Sequence, residues 1–346
     1  MTTRMRTEIS EQPAAAAATL DELLPLAGEI ERLGEGLRQV LFIARGSSDN
    51  AAVYGQYLCS MRAGRLGVLA SPSMATAYRA SVDLSGVLAV AVSQSGRTDE
   101  IVATQEWASA CGARTVAVTN AADSPLAAQA DLALVTRAGE ELAVPATKTF
   151  TTQLAALAVL GLALGGDRDG LETLRGVPEA IERALGAAGA AEALADHLTY
   201  VQQLVVSARG YAYAIARELA LKLEEACYVT ALGLSYADLE HGPIAIVDAD
   251  TPALLIAAEQ DAAMLSAMTA LARRCSEEGG HVYGIGGDDE FAGACLSALP
   301  EVALPAWLSP LTLVVPGQLL VEALARAKGI DPDAPRGLRK VTQTSA

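Results

Sequence analysis

The sequence predicts an α/β fold of two units, each a parallel sheet flanked by helices, and three observations point to this class. The chain has 346 residues, enough for two domains of ordinary size. Short apolar runs alternate with longer helical stretches, which is typical of parallel strands joined by crossover helices. The motif Ala44-Arg45-Gly46 at the end of one run recurs as Ala208-Arg209-Gly210 and so indicates two copies of one unit.

The elements follow from local composition. Residues before about Gly36 are rich in Ala and Glu, which favour helix. From Val40 onward the apolar runs predict strands, because strands buried on both faces of a parallel sheet read as continuous apolar stretches. The predicted strands are 40–44, 67–70, 87–92, 115–118 and 132–135 in one series, and 204–208, 253–257, 282–285 and 302–304 in another.

The same pattern predicts five segments along the chain. They are an N-terminal helical arm (1–35), a first α/β unit (36–166), a linker helix (167–195), a second α/β unit (196–328) and a C-terminal tail (329–346). The linker is predicted from a stretch richer in Gly, Asp, Arg and Glu that contains Pro178.

Charge and composition exclude several classes of partner. Asp and Glu outnumber Lys and Arg by 41 to 25, so nucleic acid and anionic membrane surfaces are repelled. The longest apolar run, 154–166, is shorter than the roughly 20 residues of a membrane span. The five cysteines show no C-x-x-C spacing and the three histidines lie far apart. These observations predict a cytoplasmic protein without a metal site.

The most informative loop follows the predicted strand 87–92 and reads Ser-Gln-Ser-Gly-Arg-Thr over residues 93–98. A helix that starts near Asp99 presents N–H groups and a positive dipole end here, and three hydroxyls and an amide add donors. Gly96 lets the backbone approach a ligand, and Arg97 adds charge. The loop therefore predicts a phosphate site. The alternative is a helix capped by Ser or Thr after a tight turn, which needs only one such side chain.

Ser47 and Ser48 follow the strand 40–44 in a similar way. Ligands of open α/β sheets bind beyond the carboxyl ends of strands, where strand order reverses, so the two serine-bearing loops are expected to converge. Neither a G-x-G-x-x-G fingerprint nor a G-x-x-x-x-G-K-[ST] loop is present. A small phosphorylated metabolite is favoured over a nucleotide, and no cofactor is expected.

A helix predicted over 212–227 places Glu218, Lys222 and Glu225 on one narrow stripe, at about 100° per residue. A second polar stripe on the same helix can face solvent, so the stripe of Glu218, Lys222 and Glu225 can face the protein interior. In that position desolvation raises the pKa of a carboxylate and a neighbouring ammonium lowers it. These opposing effects set the pKa of a general base. The alternative is an exposed ladder of salt bridges.

His241 lies in Glu240-His241-Gly242-Pro243, a turn that positions the ring without packing it. Imidazole is the natural proton shuttle near neutral pH. The alternative is a turn histidine with no role.

Six motifs carry a family resemblance. They are 93–98, 138–141, 144–150, 218–225, 240–243 and 331–340. In this order they resemble the tandem sugar isomerase (SIS) domains, and above all the isomerase half of glutamine–fructose-6-phosphate aminotransferases, over about residues 40–346. The resemblance implies two flavodoxin-like units per chain, a homodimer, and a phosphorylated amino sugar or ketose as substrate.

The resemblance also implies residue roles. The phosphate contacts are Ser48, Ser93, Gln94, Ser95 and Thr98, and the sugar contacts are Ser47, Val144 and Arg339. Glu225 is implied as the base that moves a proton between the first two sugar carbons, with Lys222 assisting at an oxygen. His241 is implied to open the ring in the partner subunit's site. Lys340, on a tail that closes over the sugar, is implied to form a Schiff base with the open-chain ketose.

Two departures from the aminotransferase pattern narrow the expected activity. The chain starts Met1-Thr2-Thr3, without a glutaminase domain that begins on Cys, so we expect no production of ammonia from glutamine. Arg97 and Ala146 stand where these aminotransferases usually carry Glu and Ser. The Gly-Arg pairing resembles the stand-alone SIS-type glucosamine-6-phosphate deaminases. The expected reaction converts an amino sugar 6-phosphate to fructose 6-phosphate and ammonia.

Two alternatives stay open. One is another enzyme of the superfamily, either a fructosamine-6-phosphate deglycase or a hexosamine-phosphate isomerase. The other is a non-catalytic phosphosugar-binding regulator. Retention of Glu225, His241 and Lys340 argues against the regulator, as does the lack of an evident helix-turn-helix segment.

Overall fold

The computed structural model describes residues 2–340 and contains two parallel five-stranded sheets with helices packed around them. The predicted α/β class is confirmed. Contacts divide the chain into two compact units. Among the described residues, the N-terminal unit comprises 12–141, 148–178 and 339–340, and the C-terminal unit comprises 2–11, 142–147 and 179–338.

The first sheet lies in the N-terminal unit. Its strands are β1 (Gln39–Ile43), β2 (Leu66–Leu69), β3 (Val87–Val92), β4 (Arg114–Thr119) and β5 (Leu132–Val135). They pair in parallel in the flavodoxin-like order β2-β1-β3-β4-β5. Every residue of β3 is buried, as its continuous apolar run predicts. Strand order reverses between β1 and β3, so the loops after these neighbouring strands leave the sheet side by side.

The helices of the first half follow in chain order. They are α1 (Arg4–Ser10), α2 (Gln12–Leu23), α3 (Ala27–Leu33), α4 (Ser47–Arg62), α5 (Ser73–Thr76), α6 (Asp99–Ala110), α7 (Pro125–Gln129), α8 (Lys148–Leu164) and α9 (Arg168–Thr173). Helix α8 is buried over its full length and packs on α4 and α2. It supplies much of the core behind the first sheet.

The second sheet lies in the C-terminal unit. Its strands are β6 (Gln203–Ala208), β7 (Thr230–Ser235), β8 (Ala253–Ala257), β9 (Val282–Gly286) and β10 (Ser297–Leu299). They are parallel in the order β10-β9-β8-β6-β7, which is the order of the first sheet read from its other edge. Both units therefore place the order reversal beside their first strand.

Seven helices complete the described chain. They are α10 (Val177–Ala184), α11 (Ala188–Leu198), α12 (Tyr213–Cys227), α13 (Tyr236–Glu240), α14 (Ala262–Glu277), α15 (Asp289–Gly293) and α16 (Pro310–Ala327). Short 3-10 turns cover Leu24–Leu26, Leu174–Gly176, Leu185–Ala187, Gly210–Ala212 and Pro243–Ile246. Helix α16 packs on α11 and α12 and is buried from Pro310 to Ala325.

Two details of the strand prediction are wrong. The predicted strand 302–304 is not formed, and the edge strand is β10 instead. Pro300 explains the difference, because a residue without an N–H cannot extend the ladder of β10. Strand β7 was also not predicted, and its burial pattern is mixed because it lies at the sheet edge.

Three further observations concern residues 2–340. No helix in this range is long and apolar enough to cross a membrane. No group of three or more His, Cys, Asp or Glu side chains in it could hold a metal ion. The five cysteines are free thiols, and burial raises the pKa of Cys59 and Cys227 to about 12, so both thiols stay protonated at neutral pH.

Candidate functional site

The loop 93–98 joins β3 to α6 as predicted. Ser93 is only 7% exposed, and its Oγ accepts a hydrogen bond from the N–H of Gly96 (3.3 Å). The Oγ of Ser95 accepts from the N–H of Arg97 (3.2 Å). Thr98 is the N-cap residue of α6. The loop thus gathers three hydroxyls at the start of a 12-residue helix, an arrangement suited to a phosphate.

Gly96 is required by the shape of this turn. Its φ of +60° lies in the left-handed region. A Cβ at this position would lie 2.2 Å from the Oγ of Ser124 and 2.8 Å from the Oγ1 of Thr119. Arg97 is exposed and pairs with the carboxylate of Asp123 (2.9 Å).

Ser47 and Ser48 open α4, directly beyond β1. The Nε2 of Gln153 on α8 donates to the Oγ of Ser48 (3.0 Å), and Gln153 itself is buried. Because β1 and β3 are paired neighbours, this loop and the loop 93–98 start from adjacent strand ends, as predicted. The second serine is thereby held by a core residue rather than by solvent.

A cleft of about 590 Å³ opens within the N-terminal unit. Its lining residues include Gln94 and Ser95 of the loop 93–98, Thr136 after β5, Glu141 and Lys340. Two predicted phosphate contacts and the predicted tail lysine therefore share one polar cleft.

The Nζ of Lys340 lies 2.6 Å from the Oε2 of Glu141. The Glu141 side chain is fully buried, whereas the Lys340 side chain is 25% exposed. Thr149 orients the carboxylate, because its hydroxyl donates to Oε2 (2.5 Å) and its N–H donates to Oε1 (3.2 Å). Hydrogen bonds between charged groups at this distance are among the stronger ones in proteins.

Asn120, at the carboxyl end of β4, fixes the wall of the cleft. Its Nδ2 donates to the carbonyl of Gly139 (2.8 Å), and its Oδ1 accepts from the N–H of Ala138 (3.0 Å) and the hydroxyl of Thr136 (3.2 Å). These three bonds hold the segment that leads to Glu141.

The second cluster lies on α12 in the C-terminal unit. The side chains of Glu218 and Lys222 are 0% and 1% exposed, and the Nζ of Lys222 lies 3.7 Å from the Oε1 of Glu218. Lys222 also donates to Glu225, whose side chain is 24% exposed. The inward orientation of this stripe is confirmed, and the exposed salt-bridge ladder is wrong. Burial leaves Glu225 as the member of the cluster that reaches solvent.

The tail residues before 339 are anchored within the C-terminal unit. The carboxylate of Asp333 accepts from the N–H groups of Arg4 (2.9 Å) and Met5 (2.8 Å). The carbonyl of Asp333 accepts from the N–H of Val144 (3.0 Å), the predicted sugar contact. The tail and the Val144 segment are therefore tied to each other and to the start of α1.

A stacked pair adds a further anchor. The guanidinium of Arg336 lies 4.4 Å from the ring centroid of Tyr228, and the N–H of Arg336 donates to the Tyr228 hydroxyl (2.8 Å). Tyr228 ends α12 in the left-handed region at φ 54°, a conformation that costs a non-glycine residue about 1–2 kcal/mol.

The remaining predicted residues are exposed. His241 follows α13 and precedes Gly242, whose φ is +133°. Arg339 is exposed next to Lys340. Among the described residues, the structure thus brings Gln94, Ser95 and Lys340 into one cleft, whereas Glu225, Lys222 and His241 belong to the other unit.

Four residues of this region were not predicted as site residues: Glu141, Thr149, Asn120 and Gln153. Glu141 and Thr149 lie inside two of the motifs that carry the family resemblance, so the motifs pointed to these residues but did not indicate what they do. Asn120 carries the weaker signal of a polar residue at a strand end. Nothing local distinguishes Gln153, which lies in an apolar helix.

The SIS domain family model matches residues 37–163 and 197–291. Glutamine–fructose-6-phosphate aminotransferase (isomerizing) of Methanothermobacter thermautotrophicus is 33% identical over 350 residues, covering 97% of this chain and 56% of that protein. The Haemophilus influenzae protein of the same name is 32% identical, covering 97% of this chain and 58% of that protein. The chain thus spans just over half the length of these relatives.

Solved structures of similar proteins support the same family assignment. A Silicibacter pomeroyi protein provisionally named a phosphosugar isomerase superposes with a TM-score of 0.85 at 33% identity, covering 96% of this chain and 100% of that one. The C-terminal domain of the Francisella tularensis glucosamine-fructose-6-phosphate aminotransferase gives 0.86 at 26% identity, covering 97% and 99%. Glucosamine-6-phosphate deaminase of Thermotoga maritima, at 22% identity and a TM-score of 0.79 over 99% and 100%, shares the fold. On the family match and these similarities, the chain belongs to the SIS domain family.

Proposed function

We propose that this chain is a phosphosugar isomerase that deaminates an amino sugar 6-phosphate, giving fructose 6-phosphate and ammonia. The observation that carries the proposal is the cleft of the N-terminal unit, where hydroxyls, amides and the Lys340 ammonium surround about 590 Å³. A sugar phosphate combines an anionic group with several hydroxyls and so matches this lining. The names of the aminotransferase and deaminase relatives support the same substrate class.

The phosphate binds on the loop 93–98 in this proposal. Ser93, Ser95 and Thr98 supply hydroxyls, Gln94 supplies an amide, and Ser48 adds a hydroxyl from the neighbouring loop. Neutral donors and a helix N-terminus attract an anion locally, which is compatible with a net charge of −16 for the whole chain. Ser47, Val144 and Arg339 contact the sugar.

The chemistry then needs one base and one ring-opening group. His241, acting in the partner subunit of a homodimer, helps to open the ring. Glu225 takes the proton from C2 and returns it to C1 through an enolamine, with Lys222 assisting at an oxygen. The resulting imine at C2 adds one water and releases ammonia, which leaves fructose 6-phosphate. Proton transfer by a positioned carboxylate contributes about 100- to 10,000-fold to such a reaction.

An assay panel tests the proposal. Ammonia and ketose are measured with glucosamine, galactosamine and fructosamine 6-phosphates as substrates, for the wild type, Glu225→Gln and Glu224→Gln. Glu224 is the exposed neighbour on the same helix and serves as the matched control. We expect ammonia from an amino sugar phosphate, a loss of at least about 100-fold in Glu225→Gln, and near wild-type rates in Glu224→Gln.

Other outcomes contradict the proposal in distinct ways. Turnover of fructosamine 6-phosphate alone identifies a deglycase, and interconversion of hexosamine phosphates without ammonia identifies an isomerase. Tight binding without turnover, unchanged in Glu225→Gln, identifies a phosphosugar-binding regulator.

A further inference from the structure

The pair formed by Lys340 and Glu141 has two unequal members. Lys340 reaches the cleft from the exposed tail, whereas the Glu141 side chain is fully buried and accepts two hydrogen bonds from Thr149. Both residues line the cleft assigned to the sugar, and the Glu141 carboxylate lies directly behind the Lys340 ammonium that reaches it. The contact at 2.6 Å is within the range for direct proton transfer.

We propose that Glu141 is the proton acceptor and donor for Lys340 when the lysine forms a Schiff base with an open-chain ketose phosphate. This inference rests on the proposed function, which supplies the substrate and the role of Lys340. It adds a residue with a defined chemical task to the cleft of the N-terminal unit.

The step balances without an external reagent. The Lys340 ammonium gives one proton to the Glu141 carboxylate, and the freed nitrogen lone pair forms a bond to the ketose carbonyl carbon. The carbonyl oxygen takes a proton from that nitrogen and becomes a hydroxyl. Glu141 returns its proton to the hydroxyl, which leaves as water, and the nitrogen lone pair forms the protonated imine. Glu141 ends as a carboxylate, ready for the reverse sequence when the imine is hydrolysed.

Thr149 is the positioning residue for this task. Its hydroxyl and Lys340 both bond the Oε2 of Glu141, while its N–H bonds Oε1. The carboxylate therefore keeps one orientation toward the lysine nitrogen. Located at the start of the fully buried α8, Thr149 is itself 1% exposed and has little freedom to move.

Trapping of the imine tests the inference. The protein is mixed with fructose 6-phosphate, sodium borohydride is added at intervals, and the reduced adduct is located on Lys340 by peptide mass spectrometry. Sugar phosphate binding and thermal unfolding are measured in parallel. The variants are Glu141→Gln, Thr149→Val and, as a matched charge control, Glu106→Gln on the exposed side of α6.

We expect an adduct on Lys340 in the wild type and in Glu106→Gln. In Glu141→Gln the rate of adduct formation falls about 100-fold, because the amide cannot take the proton. In Thr149→Val, which keeps the carboxylate, the rate falls about tenfold. Binding of the sugar phosphate changes less than about threefold in both variants, since the phosphate loop is intact.

Three results overturn the inference. The first is a wild-type trapping rate in folded Glu141→Gln. The second is an equal loss of binding and trapping in that variant, which would show that Glu141 only anchors the tail. The third is the absence of any adduct on Lys340 in an enzyme that turns over its substrate. If Glu141→Gln does not fold, an unchanged rate in Thr149→Val has the same consequence. Failure of every substrate in the assay panel refutes the proposed function instead, and so separates the two.

Discussion

Replacing Lys222 with Met tests the buried charge cluster of α12. The substitution removes the ammonium but keeps a side chain of similar length. In the wild type, the Nζ of Lys222 lies 3.7 Å from the fully buried Glu218 and bonds the partly exposed Glu225. After the change, Glu225 still reaches water, whereas the Glu218 carboxylate stays buried and loses the ammonium of Lys222.

The size of the effect follows from that difference. Removal of one partner of a buried ion pair costs about 3–5 kcal/mol, because the remaining charge is uncompensated. For a domain of roughly 150–250 residues, each kcal/mol lowers Tm by about 2–4 °C, so a fall of roughly 6–20 °C is expected. The double variant Glu218→Leu/Lys222→Met removes both charges and is expected to recover at least about half of the loss.

Urea unfolding followed by circular dichroism, together with thermal scans, measures these differences. Arg183→Met is the control, because Arg183 forms an exposed helical pair with Glu179 (3.0 Å) and is expected to cost at most about 0.5 kcal/mol. A loss below about 1 kcal/mol in Lys222→Met, or a double variant less stable than the single one, would refute the reasoning.

Two further predictions concern other parts of the fold. Gly96→Ala adds a Cβ 2.2 Å from the Oγ of Ser124 in a turn with φ of +60°, and we expect about tenfold weaker binding of inorganic phosphate by calorimetry and lower stability. Gly36→Ala, at φ +75° with no atom within 4 Å, isolates the backbone strain, and an equal loss in both variants contradicts the steric argument. Burial raises the pKa of Glu301 from 4.5 to about 7 in the folded chain, so the folded state binds more protons and stability falls as pH rises between these values. Glu301→Gln should remove about 1–3 kcal/mol of that fall in urea unfolding at several pH values, and parallel curves for the two proteins contradict it.

Local sequence patterns predicted much of the fold and part of the candidate site. The apolar run of β3, the hydroxyl-rich loop after it and the periodic stripe of α12 each consist of consecutive or regularly spaced residues. The order of the strands agreed with the flavodoxin-like expectation from the family resemblance. The predicted strand 302–304 failed because its composition suits a strand, whereas Pro300 and Pro305 on either side do not.

Other features depended on residues far apart in the chain. Glu141 and Lys340 are 199 positions apart, and no spacing rule links a buried carboxylate to a lysine on a tail. Glu218, Lys222 and Glu225 have the same spacing in a buried stripe and in an exposed one. Whether the stripe is buried depends on the elements that pack against it.

The sequence by itself determined the class of most elements, because strand and helix signals depend on the next few residues. The residue types at one strand end also predicted a phosphate loop. Only the tertiary structure decided which charges are buried and which are paired. Burial and distance are set by side chains from other elements, so the free energies that orient Lys222 and Lys340 arise only when those elements are packed together.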